Sequence, residues 1–482
     1  MAKQLLKPDL CIIGGGSGGL SVASAAAQMG VDVVLVEKAK MGGDCLNYGC
    51  VPSKALLSAA KSVHEHGKAA KYLQNHQAAQ VNYPAVKQHV ADVIATIAPH
   101  DSVERFEGLG VKVIEACGQF LDDDTLEAGD YSIKARRFIV ATGSSAFIPP
   151  IKGLNQVSYH TNETIFTLDE QPEHLVIIGA GAIGLEMAQA HSRIGCQVTV
   201  IDAFKILANL DDAFTQVVLA GLKADGIKLY GQTQVVEVSQ TGKAINIHLQ
   251  HADERKQVLT ASHLLVATGR NANIDGLGLA NTSVKSDAKG IMADHSLRTA
   301  AKRIYAIGDV VQITGAAFNP QLTHIANYHA GLVIRSCLLR LPTKVSYDTL
   351  PWVLYTDPEL AHVGLDAEGA QQKYAGAKTL SASFAGNDRA IAMGKPQGLA
   401  QFYITKKGHV VGATIVGENA GELISILALM IAQKIKISKL ATLIVAYPTL
   451  AEIVKRAAQD HYKDMAKNKI LRFILGLLRK FG

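Results

Sequence analysis

The chain has 482 residues, 48% of them hydrophobic and 19% charged, with a formal net charge of +6. That length implies roughly three domains, and the composition is that of a folded, core-forming protein. The small net charge makes no case for nucleic acid. No run reaches the ~20 apolar residues of a membrane-spanning helix. Six cysteines spread over this length do not suggest a disulfide scaffold.

Met1 to Pro8 lacks the apolar stretch of a signal peptide, so a cytoplasmic protein is expected. Residues 9–13 form a short apolar run that opens onto Gly14-Gly-Gly16-Ser-Gly-Gly19. A small-residue helix and a second apolar run, 31–36, follow, and that run ends in Glu37. Strand, glycine turn, helix, strand and acid together make a dinucleotide-binding unit. The glycines let the backbone approach a pyrophosphate, the helix N-terminus binds it, and the acid takes a ribose hydroxyl.

Next comes Gly42-Gly43-Asp-Cys45-Leu-Asn-Tyr-Gly-Cys50-Val-Pro-Ser-Lys54. A cysteine pair beside a bound cofactor, in a chain with no sign of secretion, is expected to be redox-active rather than structural. A zinc site is disfavoured because four ligands are needed and the next cysteine, Cys117, stands alone; no metal is expected. Cys11, Cys117, Cys196 and Cys337 read as core residues.

The dinucleotide pattern then recurs. Residues 174–178 run into Gly179-Ala-Gly181-Ala-Ile-Gly184, and a later apolar run, 197–201, ends in Asp202. Two units imply two dinucleotides. Each is followed by an apolar strand ending in Ala-Thr-Gly, at Thr142-Gly143 and at Thr268-Gly269, and a further run ends in Gly308-Asp309. From about residue 347 the glycine loops stop, and strand-like runs at 352–355, 401–404 and 410–416 mix with helical ones, which reads as an α+β domain. The final residues, 469–482, place Ile470, Leu471, Phe473, Ile474, Leu475, Leu477, Leu478 and Phe481 on one broad helical arc. Lys469, Arg472, Arg479 and Lys480 fall on the other side, the pattern of a helix lying on a membrane surface; packing on the interface domain or across a dimer is the alternative.

These motifs, in this order, resemble the pyridine nucleotide-disulfide oxidoreductases, near the dihydrolipoamide dehydrogenase and mercuric reductase branch. The resemblance implies an α/β fold with two Rossmann-like dinucleotide-binding domains and a C-terminal α+β dimerisation domain. The divisions expected are 1–150 and 276–346 for FAD, 151–275 for NAD, 347–465 for the interface of a homodimer, and 466–482 for the basic amphipathic tail. It implies FAD on Gly14, Gly16, Gly19, Glu37, Gly43, Gly118, Thr142, Gly143 and Asp309. A nicotinamide nucleotide is implied on Gly179, Gly181, Gly184, Asp202 and Gly269. Asp202 favours NAD because a carboxylate repels the extra phosphate of NADP, although Lys205 leaves NADP possible.

The resemblance also assigns roles around the flavin. Cys50 is the thiol facing it, Cys45 the one exchanging with substrate, and Lys54 with Glu186 an ion pair beside flavin N5. Chemistry supports this assignment: Cys50 at a helix start has its thiol pKa lowered, and a Lys54 cation stabilises reduced flavin.

Three departures qualify the resemblance: the Tyr447 segment, Ala182, and the tail added beyond the family's usual end. Where the family carries His-Pro, with a glutamate five residues after the histidine, this chain has Tyr447-Pro448 and Glu452. Both side chains are expected to act from the partner subunit, but tyrosine, with a reference pKa of ~10, exchanges protons poorly near neutrality. The last cysteine is Cys337, so the vicinal C-terminal pair of mercuric reductases is absent. Ala182 stands where many relatives have a bulky residue shielding the flavin. The expected activity is a dihydrolipoamide dehydrogenase-like disulfide oxidoreductase. Direct reduction of a metal ion or quinone at a membrane surface, and a non-catalytic FAD-binding scaffold, are the alternatives.

Overall fold

A computed structural model describes residues 3–74, 80–208, 210–466 and 468–481. The chain divides into two compact units, Met1–Ala203 with Tyr230–Val345, and Phe204–Leu229 with Ser346–Gly482. The first unit therefore draws together segments far apart in sequence.

Its centre is a parallel sheet of five strands, in the spatial order Ile304–Ala306, Arg137–Val140, Leu10–Ile13, Val33–Glu37 and Lys112–Glu115. Every residue of Leu10–Ile13 and Val33–Glu37 is buried, as expected of parallel strands covered on both faces. Helix Ser17–Gln28 forms the crossover between them. The second glycine unit repeats the plan, with His174–Ile178 pairing in parallel with Gln197–Ile201 on one side and His263–Val266 on the other. Helix Ala182–Arg193 is its crossover. Antiparallel strands Thr233–Thr241, Ala244–His251 and Lys256–Ala261 form a separate meander.

The second unit has a different construction. Five antiparallel strands stand in the order Pro351–Leu354, Glu359–Gly364, Val410–Gly417, Leu399–Ile404 and Lys378–Ser383. Helices Ala420–Ala432 and Glu452–Ala466 contribute Leu427, Ile453 and Val454 to a core with Phe384 and Phe402. This is the α+β arrangement expected from the loss of glycine loops after residue 347. Lys395 forms ion pairs with both Asp357 and Glu418, each at 3.1 Å, tying strand ends together.

The tail forms helix Lys469–Leu478, capped by the Asn468 side chain on the Ile470 amide. None of its residues is buried: Ile470 is 69% and Phe473 66% exposed. Gly482 lies outside the described residues. One sequence expectation fails here. Cys11, Cys196 and Cys337 are buried, but Cys117 is exposed, because it occupies the bend between strands Lys112–Glu115 and Gly118–Asp122 rather than a core-facing strand position.

Candidate active site

The two glycine loops are built alike. Gly14 has φ +112°, and a Cβ there would lie 2.4 Å from the Ala141 carbonyl oxygen; Gly179 has φ +107° and would meet Ala267 O at 2.3 Å. In the same way a Cβ on Gly19 would strike Gly14 O at 1.9 Å, and one on Gly184 would strike Gly179 O at 2.0 Å. These glycines exist so that strand, loop and helix can pack. The middle glycines differ. A Cβ on Gly181 would meet nothing within 4 Å, and one on Gly16 would reach only Gly43 Cα, at 3.9 Å.

Gly16 and Gly181 are also the N-caps of helices Ser17–Gln28 and Ala182–Arg193, and neither helix receives a side-chain cap. The result is two helix N-termini, with amide donors and dipole, above an open cradle that a side chain would fill. A dinucleotide pyrophosphate fits both places.

The strand-end acids brace these loops. Glu37, nearly buried, accepts the backbone N–H of Gly15 on one carboxylate oxygen and that of Ala39, at 2.7 Å, on the other. Asp202 accepts the Ala180 N–H at 2.7 Å. Lys205 is ion-paired at 2.7 Å with Asp212. Gly43 (φ +58°) passes so close to Gly16 that a Cβ would lie 2.8 Å from its Cα, and Gly118 is buried against Val36 and Leu126. Gly143 and Gly269 have left-handed or related φ angles, +68° and +141°, with open space around them. The Thr142 hydroxyl donates to Asn273 O at 2.7 Å. Asp309 accepts from Ser144 Oγ at 2.7 Å, and burial raises its carboxyl above the usual range.

Cys45 lies in the short helix Gly43–Asn47, and Cys50 opens helix Cys50–Ala69. Both are thiols that interact directly. The hydrogen bond from Cys45 holds the Cys50 thiol down at about 6, helped by Thr323 and by the Lys54 charge, against the opposing effect of burial. Cys45 is pushed up correspondingly. Cys50 Sγ lies 3.2 Å from Thr323 Oγ1. One turn along the helix, Lys54 Nζ is 2.8 Å from Glu186 Oε2, a carboxylate with only 5% side-chain exposure. The pair therefore ties the dithiol helix to the second glycine-loop helix.

A second network was not visible in the sequence. Arg270 donates to both Ser144 Oγ and Ser144 O at 2.7 Å, stands 3.3 Å from Asp44, and lies 4.0 Å from Asp309. Asn162 holds the other Asp44 oxygen at 2.9 Å and also donates to Tyr48 O. Arg270 and Asn162 thus position the short helix that carries Cys45. His329, fully buried, accepts the Gly308 amide through Nδ1 and so fixes the turn before Asp309.

Tyr447 and Glu452 belong to the second unit. The Tyr447 hydroxyl donates to Asp388 at 3.1 Å, and the ring is 71% exposed. That carboxylate holds the phenol above its usual value, so Tyr447 keeps its proton. Glu452 begins helix Glu452–Ala466 and accepts the Thr449 amide at 3.4 Å.

Residues 8–330 match the family model described as "Pyridine nucleotide-disulphide oxidoreductase", and residues 350–458 match that family's dimerisation domain. The chain is 33% identical to a mercuric reductase of Streptomyces lividans, over 95% of this chain and 97% of that one. It is 30% identical to a dihydrolipoyl dehydrogenase of Geobacillus stearothermophilus, over 94% and 96%. Among solved structures, the HOCl-induced flavoprotein disulfide reductase RclA from Escherichia coli superposes with a TM-score of 0.81 at 25% identity, covering 92% of this chain and 98% of that one.

Proposed function

Because the chain belongs to the pyridine nucleotide-disulphide oxidoreductases, we propose that it exchanges electrons between NAD(H) and a small disulfide or dithiol of the lipoamide type, through Cys45 and Cys50. The observation that carries the reading is the unequal thiol pair: Cys50 depressed to about 6, Cys45 holding the shared proton, and Lys54 one turn away.

FAD is assigned to the first cradle, on Gly14, Gly16, Gly19, Glu37, Gly43, Gly118, Thr142, Gly143 and Asp309. NAD is assigned to the second, on Gly179, Gly181, Gly184, Asp202 and Gly269. Asp202 selects NAD, and the one nearby cation in sequence able to offset its charge, Lys205, is engaged by Asp212. Bound FAD supplies two-electron exchange between the nicotinamide and the thiol pair.

The thiol chemistry then balances within this chain. Cys45 passes its proton to the Cys50 thiolate and attacks one sulfur of the substrate disulfide. The substrate S–S bond breaks, a mixed disulfide with Cys45 forms, and the leaving thiolate takes the proton from Cys50. The Cys50 thiolate then displaces the second substrate thiolate, which is protonated by solvent, and closes the Cys45–Cys50 bond. The dithiol loses two electrons and the substrate gains them; dithiol oxidation runs the same steps backwards. Tyr447 and Glu452 line the substrate pocket of a homodimer from the partner subunit. Tyr447, whose hydroxyl proton is held by Asp388, is no base there.

A second reading has its own observations. Tyr447 holds its proton, and Ala182 is a small, exposed residue at the mouth of the second cradle. Both favour a metal ion or a quinone as acceptor over lipoamide. The tail supports work at an anionic membrane surface, on the inner face in a cytoplasmic protein. Among the described residues no helix is long and apolar enough to cross a membrane.

Anaerobic titration of the FAD-loaded protein with NADH discriminates these readings. A long-wavelength thiolate band that survives Cys45→Ser and vanishes in Cys50→Ser is the expected result. Flavin bleaching without that band moves the acceptor to a metal ion or quinone, and no reduction at all leaves only an FAD-binding scaffold.

A further inference from the structure

The parallel sheet of the first unit has two ends. The glycine loop that follows the C-terminal end of its strand Leu10–Ile13 forms the first dinucleotide cradle. Arg137 is the first residue of its strand, Arg137–Val140, and so marks the opposite end. There a cavity of about 430 Å³ is lined by Arg137, Arg298, Arg340, Tyr305, Ser336 and Thr343, among others, with no carboxylate in its wall.

Its polar groups are incompletely satisfied. Arg137 donates through Nη1 to Arg136 O at 2.7 Å, yet its Nε is buried without a hydrogen-bond partner. Thr343 Oγ1 is likewise buried and unpartnered. A buried guanidinium N–H and a buried hydroxyl left unpaired are costly. Arg298 is held in place, donating to the Tyr305 hydroxyl at 3.2 Å with its guanidinium 5.6 Å from the ring centre. Arg340 sits at φ +53°, an uncommon angle for a non-glycine residue.

Nothing in the wall offsets the charge. The Cys337 thiol, which also lines the cavity, is pushed up to about 11 by burial and is neutral. The carboxylate nearest in sequence to Arg298, Asp294, is taken up by the backbone amides of Ser296 and Arg298.

We propose that this cavity is a binding site for a small phosphorylated polyanion, distinct from both dinucleotide cradles. Guanidinium forks match phosphoryl oxygens two at a time, and three arginines line this one space. The volume falls within the ~300–1,000 Å³ of small-molecule sites, larger than a single inorganic ion needs. A diphosphate or a phosphorylated sugar brings the negative charge to match the three arginines that line this space.

The test is calorimetric titration of the FAD-loaded protein, saturated with NAD so that both cradles are filled, with inorganic pyrophosphate at fixed ionic strength. One site per chain is expected. Arg298→Lys, which keeps the charge and loses the fork, and Arg340→Asn, which tolerates the backbone angle, should each weaken binding at least tenfold. NAD affinity and the thermal midpoint should not move in either variant. Fructose 1,6-bisphosphate should compete with pyrophosphate. Absence of binding, or binding that both variants retain in full, overturns the proposal.

Discussion

At the scale of single residues, the reactive feature is a proton shared unequally between two sulfurs. Cys50 is favoured as the thiolate by the Cys45 hydrogen bond first, then by Thr323 at 3.2 Å and the Lys54 charge. Its pKa is depressed, so the thiolate is present above about pH 6 and is lost as the pH falls through that value. Iodoacetamide should therefore alkylate Cys50 in the pre-reduced protein with a half-maximal rate near pH 6. Thr323→Val removes one hydrogen bond, worth about 1 kcal/mol, and should move that midpoint up by roughly 0.5–1 unit. Mass spectrometry of Cys50 against pH checks it, and an unmoved midpoint would mean Thr323 does not contribute. Lys54→Met is a poorer probe, because it also takes away the cation 2.8 Å from the Glu186 carboxylate, 5% exposed, beside the site.

At the scale of elements, the two strand–loop–helix units use glycine for two separable purposes. Gly179 and Gly184 are demanded by packing: an added Cβ meets a carbonyl oxygen at 2.3 and 2.0 Å. Gly181, at φ −74° with nothing within 4 Å, is not. Gly184→Ala should lower stability by several kcal/mol, since backbone must shift. Gly181→Ala should leave the thermal midpoint within about 2 °C, yet weaken NADH binding at least tenfold by filling the cradle above the helix N-terminus. Fluorescence titration beside thermal melts separates the two, and equal loss of stability would remove the distinction.

These units were legible in sequence because each is local: run, glycines, helix, run and acid lie within about thirty residues. The same holds for Cys50 opening its helix with Lys54 one turn on. Lys54 meeting Glu186 was legible only through family resemblance, since 132 residues separate them. The Arg270 network was not legible at all. It joins Asp44, Ser144 and Asp309 from separate segments, and an arginine after Ala-Thr-Gly carries no periodicity or motif of its own. The polar cavity at the far end of the sheet was hidden for the same reason. For Cys117 residue type suggests burial, while the bend it occupies turns it to solvent.

At the scale of the whole molecule, the small net charge of +6 conceals an uneven distribution. Four basic residues, Lys469, Arg472, Arg479 and Lys480, accompany the exposed apolar arc of the final helix, whose Ile470, Phe473, Leu478 and Phe481 are 69%, 66%, 59% and 86% exposed. Neither feature is adequate alone. A ten-residue helix is marginal in water without a surface to cover its apolar side. Isolated surface charges near an anionic bilayer contribute about 1 kcal/mol each and are screened by salt. On the membrane-surface reading proposed for the tail, the two features together would make an anchor that inserts side chains and is held by charge, and each component can be removed separately. The 482-residue chain should float with vesicles containing about one-third phosphatidylserine, at least tenfold more than with neutral vesicles, and less in 0.5 M salt. A chain ending at residue 466 should lose that binding while keeping its NADH-driven flavin reduction. Phe473→Glu should lose it without loss of charge elsewhere in the helix. If the shortened chain instead falls from dimer to monomer by light scattering, the apolar arc covers a subunit contact and the membrane assignment fails.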